Sequence, residues 1–105
     1  MSAPEVTAHR LGPVEAIPVG EGRAFAVGAE QVAVFRLRGG GLHAMQATCP
    51  HAGGPLADAQ IDDVKVVCPL HNYAFALADG SCLNGEFAVR VYPVRDDGGE
   101  IVIDT

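Results

Sequence analysis

The chain has 105 residues, 49% of them hydrophobic and 19% charged, a balance that excludes a disordered tail and predicts one compact domain over residues 1–105. Thirteen acidic against seven basic residues leave a formal net charge of −6, which argues against nucleic acid as a partner and suits a basic protein instead. No apolar run reaches the roughly 18 residues of a membrane span, and the opening "MSAPEVTAHRLG" has neither the basic start nor the apolar stretch of a signal peptide, so a cytoplasmic chain is expected.

Residues 1–13, with Pro4, Gly12 and Pro13, read as an N-terminal arm that joins the sheet late. Period-two patterns rich in Val, Ile, Phe and Tyr then predict short strands over 23–27, 31–37, 42–46, 65–68, 73–78, 88–94 and 100–104, with no helix of any length. Between them, "VGAEQ" at 27–31, "RGGG" at 38–41, "ADGS" at 78–81 and "DDGG" at 96–99 supply the Gly and Asp that tight turns need. Regular strand spacing with such turns predicts an all-β fold, a small antiparallel barrel or sandwich. The acidic stretch "DAQIDD" at 58–63 reads as a solvated loop placed to steer a basic partner.

One phrase occurs twice. "CPHAGGPL" at 49–56 and "CPLHNYAF" at 68–75 each offer a Cys and a His beside a proline, and each follows or ends a predicted strand. Cys49 and His51 are separated by one residue, Cys68 and His71 by two, with sixteen residues between the pairs. Two loops at one end of a barrel can face each other and hold a metal centre. Pro50 and Pro69 fix φ directly after each Cys, while Gly53 and Gly54 allow a tight fold that aims amides at sulfur. Two thiolates and two imidazoles fit either a structural zinc ion, which would make the chain a zinc-stabilised interaction module, or a [2Fe-2S] cluster with both cysteines on one iron and both histidines on the other. Residue chemistry alone leaves the two open.

C-x-H, sixteen residues, then C-x-x-H resembles the Rieske [2Fe-2S] signature, and the likeness extends over residues 14–104. The tail "DGSCLNGEFAVRVYPVRDDGGEIVI" is similar to the last strands of small Rieske ferredoxins and of the small subunits of NAD(P)H-dependent nitrite reductase. The resemblance implies one cluster per chain, with Cys49 and Cys68 on the inner iron and His51 and His71 on the outer one through Nδ1. It implies a soluble, monomeric carrier of single electrons between a flavin-dependent NAD(P)H reductase and a terminal enzyme such as a ring-hydroxylating dioxygenase. The alternative is the small subunit of an assimilatory nitrite reductase, bound beside a large subunit.

Replacing two thiolates by neutral imidazoles brings the oxidised cluster to zero net charge and eases its reduction, the origin of potentials of about −150 to +300 mV against about −400 mV for plant-type ferredoxins. Within that range this chain is expected low. The respiratory and photosynthetic branch of the family carries a disulfide across the cluster where this chain has Gly54 and Leu70, and Ser and Tyr hydroxyls where it has Tyr73 and Phe75. Without those donors less of the added charge is stabilised, and Tyr73 is expected to turn outward and shield the cluster.

The remaining candidates have plainer readings. Cys82 is expected as a small buried hydrophobe without a redox role, His43 as a surface residue on a strand and His9 as part of the arm. No acid, base or nucleophile set and no nucleotide fingerprint is present, so the chain is expected to move electrons for an enzyme system and to hold no catalytic residues of its own.

Overall fold

The computed structural model describes residues 7–49, 55–68 and 72–104. Among them are ten strands: β1 (Ala8–Pro13), β2 (Gly22–Val27), β3 (Glu30–Arg36), β4 (Leu42–Gln46), β5 (Gln60–Ile61), β6 (Lys65–Val67), β7 (Ala74–Ala76), β8 (Val91–Tyr92), β9 (Val94–Asp97) and β10 (Glu100–Asp104). The other regular pieces are single 3-10 turns at Val14–Ala16 and Leu56–Asp58, and no α-helix is present among the described residues. The strands form three antiparallel sheets, ordered β1-β10-β9, β2-β3-β4-β8 and β5-β6-β7.

The middle sheet explains the sequence of β3. A strand with one wet face alternates apolar and polar residues, yet Val32, Ala33, Val34 and Phe35 are all fully buried. Val32 and Val34 join Val14, Ile17, Ala44, Ile101 and Ile103 in one cluster, whereas Ala33 and Phe35 join Met45, Leu56, Val66, Phe75 and the thiols of Cys49 and Cys68 in the other. Both faces of β3 are therefore inside, and an uninterrupted apolar run is what such a strand requires. Each of the larger of these side chains contributes roughly 1.5–3 kcal/mol by leaving water.

Three expectations change in detail. Residues 8–13 of the expected arm form β1, which pairs with the last strand from Ala8↔Asp104 to Pro13↔Glu100 and accommodates Leu11 as a bulge. The strand expected over 88–94 breaks at Pro93: β8 pairs with β4 in the middle sheet, while β9 pairs with β10 in the first. Proline supplies no ladder N–H, so the chain changes sheets there, and the Pro93 carbonyl is left to accept from the Asp104 N–H at 3.0 Å. Within the stretch expected as a solvated loop, Gln60 and Ile61 form β5 and pair with Val67 and Val66, because Ile61 packs on the cysteine-bearing cluster.

The segment after β7 returns through a turn in which Gly80 has φ +78°, and a Cβ there would run into the Val89 carbonyl oxygen. Gly80 is thereby a point of close backbone approach that no other residue can serve. It also donates to Ala76 O and accepts from Val89 N, both at 2.8 Å, which carries residues 81–88 back across the third sheet.

Candidate metal centre

Cys49 comes one residue after Thr48, and Thr48 pairs with Pro55 in an isolated antiparallel bridge that closes the first loop at its base. The Leu56 N–H donates to Ala47 O at 2.8 Å beside it. Gln46, the last residue of β4, spans the approach: its Nε2 donates to Thr48 O at 2.8 Å, and its Oε1 accepts from the Arg90 N–H at 2.8 Å. The first cysteine is thus delivered by a strand end tied on both sides.

Cys68 follows β6 directly. Its N–H donates to Tyr73 O at 2.8 Å, and its own carbonyl accepts from the Asn72 N–H at 3.1 Å, closing a tight loop between residues 68 and 73. Asn72 sits at φ +58°, a left-handed conformation that Asn tolerates better than most side chains. A third segment backs this loop from outside. The Leu83 N–H donates to Ala74 O at 2.7 Å, Ala74 N donates to Asn84 Oδ1 at 2.9 Å, and Asn84 Nδ2 donates to Asn72 O at 3.1 Å.

The two thiols end up 2% and 1% exposed, in one apolar cluster, and no polar or charged side chain is buried among the described residues. A dry pocket of hydrocarbon and soft sulfur donors suits an iron–sulfur group, whose charge the sulfurs share, and offers nothing to a hard, oxygen-seeking cation. His51 and His71 lie outside the described residues, as do Pro50, Gly53, Gly54, Pro69 and Leu70. Among the described residues no group of three or more His, Cys, Asp or Glu converges, so the histidine half of the expected ligand set is not placed.

Other expectations are sharpened. Tyr73 is half-buried, packed against the cysteine-bearing cluster with its ring edge-on to Phe87 at 5.1 Å between centroids. Phe75 is fully buried in the cysteine-bearing cluster. Cys82 is half-buried and its Sγ lies 3.5 Å from Asn84 Oδ1, two residues along the chain, a contact the sequence reading missed. His43 is half-buried on β4 opposite Phe35, and His9 is half-buried on β1 opposite Ile103.

Electrostatics are uneven around the site. A cleft of about 280 Å³ lined by Asp58, Gln60, Val67, Cys68 and Asn72 opens beside the second cysteine, and Asp58 is exposed there. At the β5–β6 turn the Lys65 ammonium and the Val64 and Lys65 N–H groups all donate to the Asp62 carboxylate, which holds its pKa down at about 2.

An all-β scaffold that brings two loop cysteines into one buried apolar cluster fits the class of small proteins that hold a thiolate-ligated metal centre. The Rieske [2Fe-2S] domain model matches residues 7–94, and the chain belongs to that family. It is 33% identical over 98 residues to the anthranilate 1,2-dioxygenase ferredoxin subunit of Burkholderia cepacia, with 91% of this chain and 90% of that one covered. Among solved structures it is similar to one from Mycobacterium tuberculosis assigned as an NADH-dependent nitrite reductase small subunit, with TM-score 0.89, 29% identity and 97% of each chain covered. The ferredoxin of carbazole 1,9a-dioxygenase from Nocardioides aromaticivorans is similar with TM-score 0.83 and 29% identity, over 92% of this chain and 96% of that one. The chain is therefore an electron-transfer component carrying one Rieske-type [2Fe-2S] cluster, and the zinc alternative falls away. No helix of the described residues is long and apolar enough to cross a membrane.

Proposed function

We propose that Cys49, His51, Cys68 and His71 hold the cluster, the two cysteines on the inner iron and the two histidines on the outer one. In this reading the chain, as one domain, is a cytoplasmic, freely diffusing monomer. It passes single electrons from a flavin-dependent NAD(P)H reductase to a ring-hydroxylating oxygenase. The observation that carries this is the burial of both thiols in one apolar cluster, with a cleft that reaches Cys68 and is bordered by exposed Asp58. When bound, the cluster supplies a one-electron couple. The chain's own part is to keep water from the sulfurs, to fix the loops in place and to present an acidic surface to a basic partner.

The test is a visible and paramagnetic spectrum of the purified protein, followed by rapid mixing of the reduced protein with an oxygenase component. A Rieske signature and reoxidation within the oxygenase's turnover time are expected. His71→Cys is expected to leave a cluster of more negative charge and lower potential, or none. A wild-type Rieske spectrum in His71→Cys would overturn the ligand set.

The likeness to the nitrite reductase small-subunit structure, with TM-score 0.89, supports a second reading as a permanent subunit beside a large sirohaem chain. Gel filtration separates the two. A monomer at working concentration fits the carrier, and co-purification with a large partner fits the subunit.

A further inference from the structure

We propose that Asn84 is a positioning residue for the cluster, a side-chain bracket that holds residues 72–74, at the exit of the second ligand loop, in place. The inference rests on the ligand set proposed above.

The geometry is that of a missing peptide unit. The carboxamide of Asn84 accepts from the Ala74 N–H through Oδ1 at 2.9 Å and donates to the Asn72 carbonyl through Nδ2 at 3.1 Å. The partners fix which end is which, since a backbone N–H can only donate and a carbonyl can only accept. Cys82 Sγ lies 3.5 Å from the same Oδ1, so its thiol can add a donor to it. The bracket thereby spans residues 72–74, which begin one residue after His71, and it does so from a segment ten residues further along the chain.

The loop needs such a bracket. Asn72 is held at φ +58°, a region that costs an L-residue energy and persists only where its surroundings impose it. Two further contacts keep the bracketing segment close. The Leu83 N–H donates to Ala74 O at 2.7 Å, and Gly85 lets the backbone lie against Tyr73 and Cys82, where a Cβ would stand 2.9 Å from Tyr73 Cε1 and 3.2 Å from Cys82 Sγ. Asn84 itself is exposed, so no demand of core packing accounts for its side chain; its two polar ends both serve the loop.

The proposal is tested on the loaded protein with Asn84→Ala, Asn84→Asp and, as a control in the other apolar cluster, Tyr92→Phe. Tyr92 belongs to the other apolar cluster and donates to Glu30 Oε2 at 2.9 Å, so its loss is a purely structural insult. Three quantities are read: the reduced-state paramagnetic line shape, the rate at which the visible spectrum bleaches under a chelator, and the unfolding temperature. Removing a direct hydrogen-bond partner of a metal ligand typically costs about 10- to 100-fold in affinity; Asn84 stands one step further out, on Asn72 and Ala74, so Asn84→Ala is expected to bleach up to about tenfold faster, with a shifted or broadened signal. Tyr92→Phe is expected to lower the unfolding temperature while keeping the wild-type signal and bleaching rate.

A wild-type signal and rate in Asn84→Ala overturns the proposal whatever its unfolding temperature. Where Asn84→Ala yields no folded protein, Asn84→Asp decides. It keeps the acceptor for Ala74 but cannot donate to Asn72, so a wild-type signal and rate there equally overturn the proposal, and an altered signal supports it. A wild-type protein without a Rieske signature overturns the ligand set first, which separates that failure from this one.

Discussion

Cys49 and Cys68 leave strands of different sheets, β4 and β6, yet both thiols close the same apolar cluster at 2% and 1% exposure. Neither sheet alone could hold a centre between them. The site is a property of the packing of the middle sheet on the third.

Cys49→Ser and Cys68→Ser are accordingly expected to yield protein without the visible cluster spectrum. Each also places a hydroxyl in a cluster with no buried polar side chain, at a cost of about 1–3 kcal/mol. His43→Ala, altering a half-buried residue on β4, is expected to keep the full spectrum. Absorbance per mole of protein checks all three, and bleaching in His43→Ala would show that the ligand set is wrong.

Phe75→Tyr adds a hydroxyl to a ring that is fully buried in the cysteine-bearing cluster. With a cluster sulfur in reach, the hydroxyl finds an acceptor, withdraws charge, and the midpoint potential rises. With none in reach, the potential stays put and an unpaired buried hydroxyl lowers stability by about 1–3 kcal/mol. Voltammetry and urea unfolding on the same sample distinguish the outcomes, and the first is expected.

Electron exchange with a basic reductase is expected to slow as salt rises from low to moderate strength. The net charge is −6, the cleft beside Cys68 is bordered by Asp58, and steering between exposed charges is screened over about 10 Å at 0.1 M salt. Stopped-flow rates over a salt series measure this. A flat response would mean an apolar or permanent interface.

Asp62 gives the acid response a definite sign. Its folded pKa is held down at about 2, below the ordinary carboxylate range, first by the Lys65 side chain and then by the Val64 and Lys65 N–H groups. A depressed carboxylate stabilises the fold fully above its unfolded pKa, and the contribution disappears as pH falls through the folded one. The stability gap between wild type and Asp62→Asn is therefore expected to be constant from pH 7 to about pH 5 and to shrink between about pH 4 and pH 2. Because the group is exposed the gap is small, and denaturant unfolding at matched ionic strength across that range reads it. A gap that widens toward pH 2 would contradict the assignment.

What the sequence determined by itself was whatever depends on neighbours along the chain. The apolar residues of 42–46 predicted β4 at those bounds, the Gly-Gly turn at 98–99 closed β9 onto β10, and the Cys-His spacings singled out two loops before any fold was known. Tertiary structure decided what depends on partners far away in the chain. Residues 8–13 became β1 only because β10 offered an open edge, Gln60 and Ile61 became β5 because β6 lay alongside and the cysteine-bearing cluster took up Ile61, and Pro93 became a corner because β4 and β10 claim the strands on its two sides. Asn84 is the sharpest case. An Asn in "CLNG" reads as one more turn residue, since its hydrogen-bonding capacity is local in sequence but its partners, Asn72 and Ala74, are brought to it only when the third sheet folds back on itself.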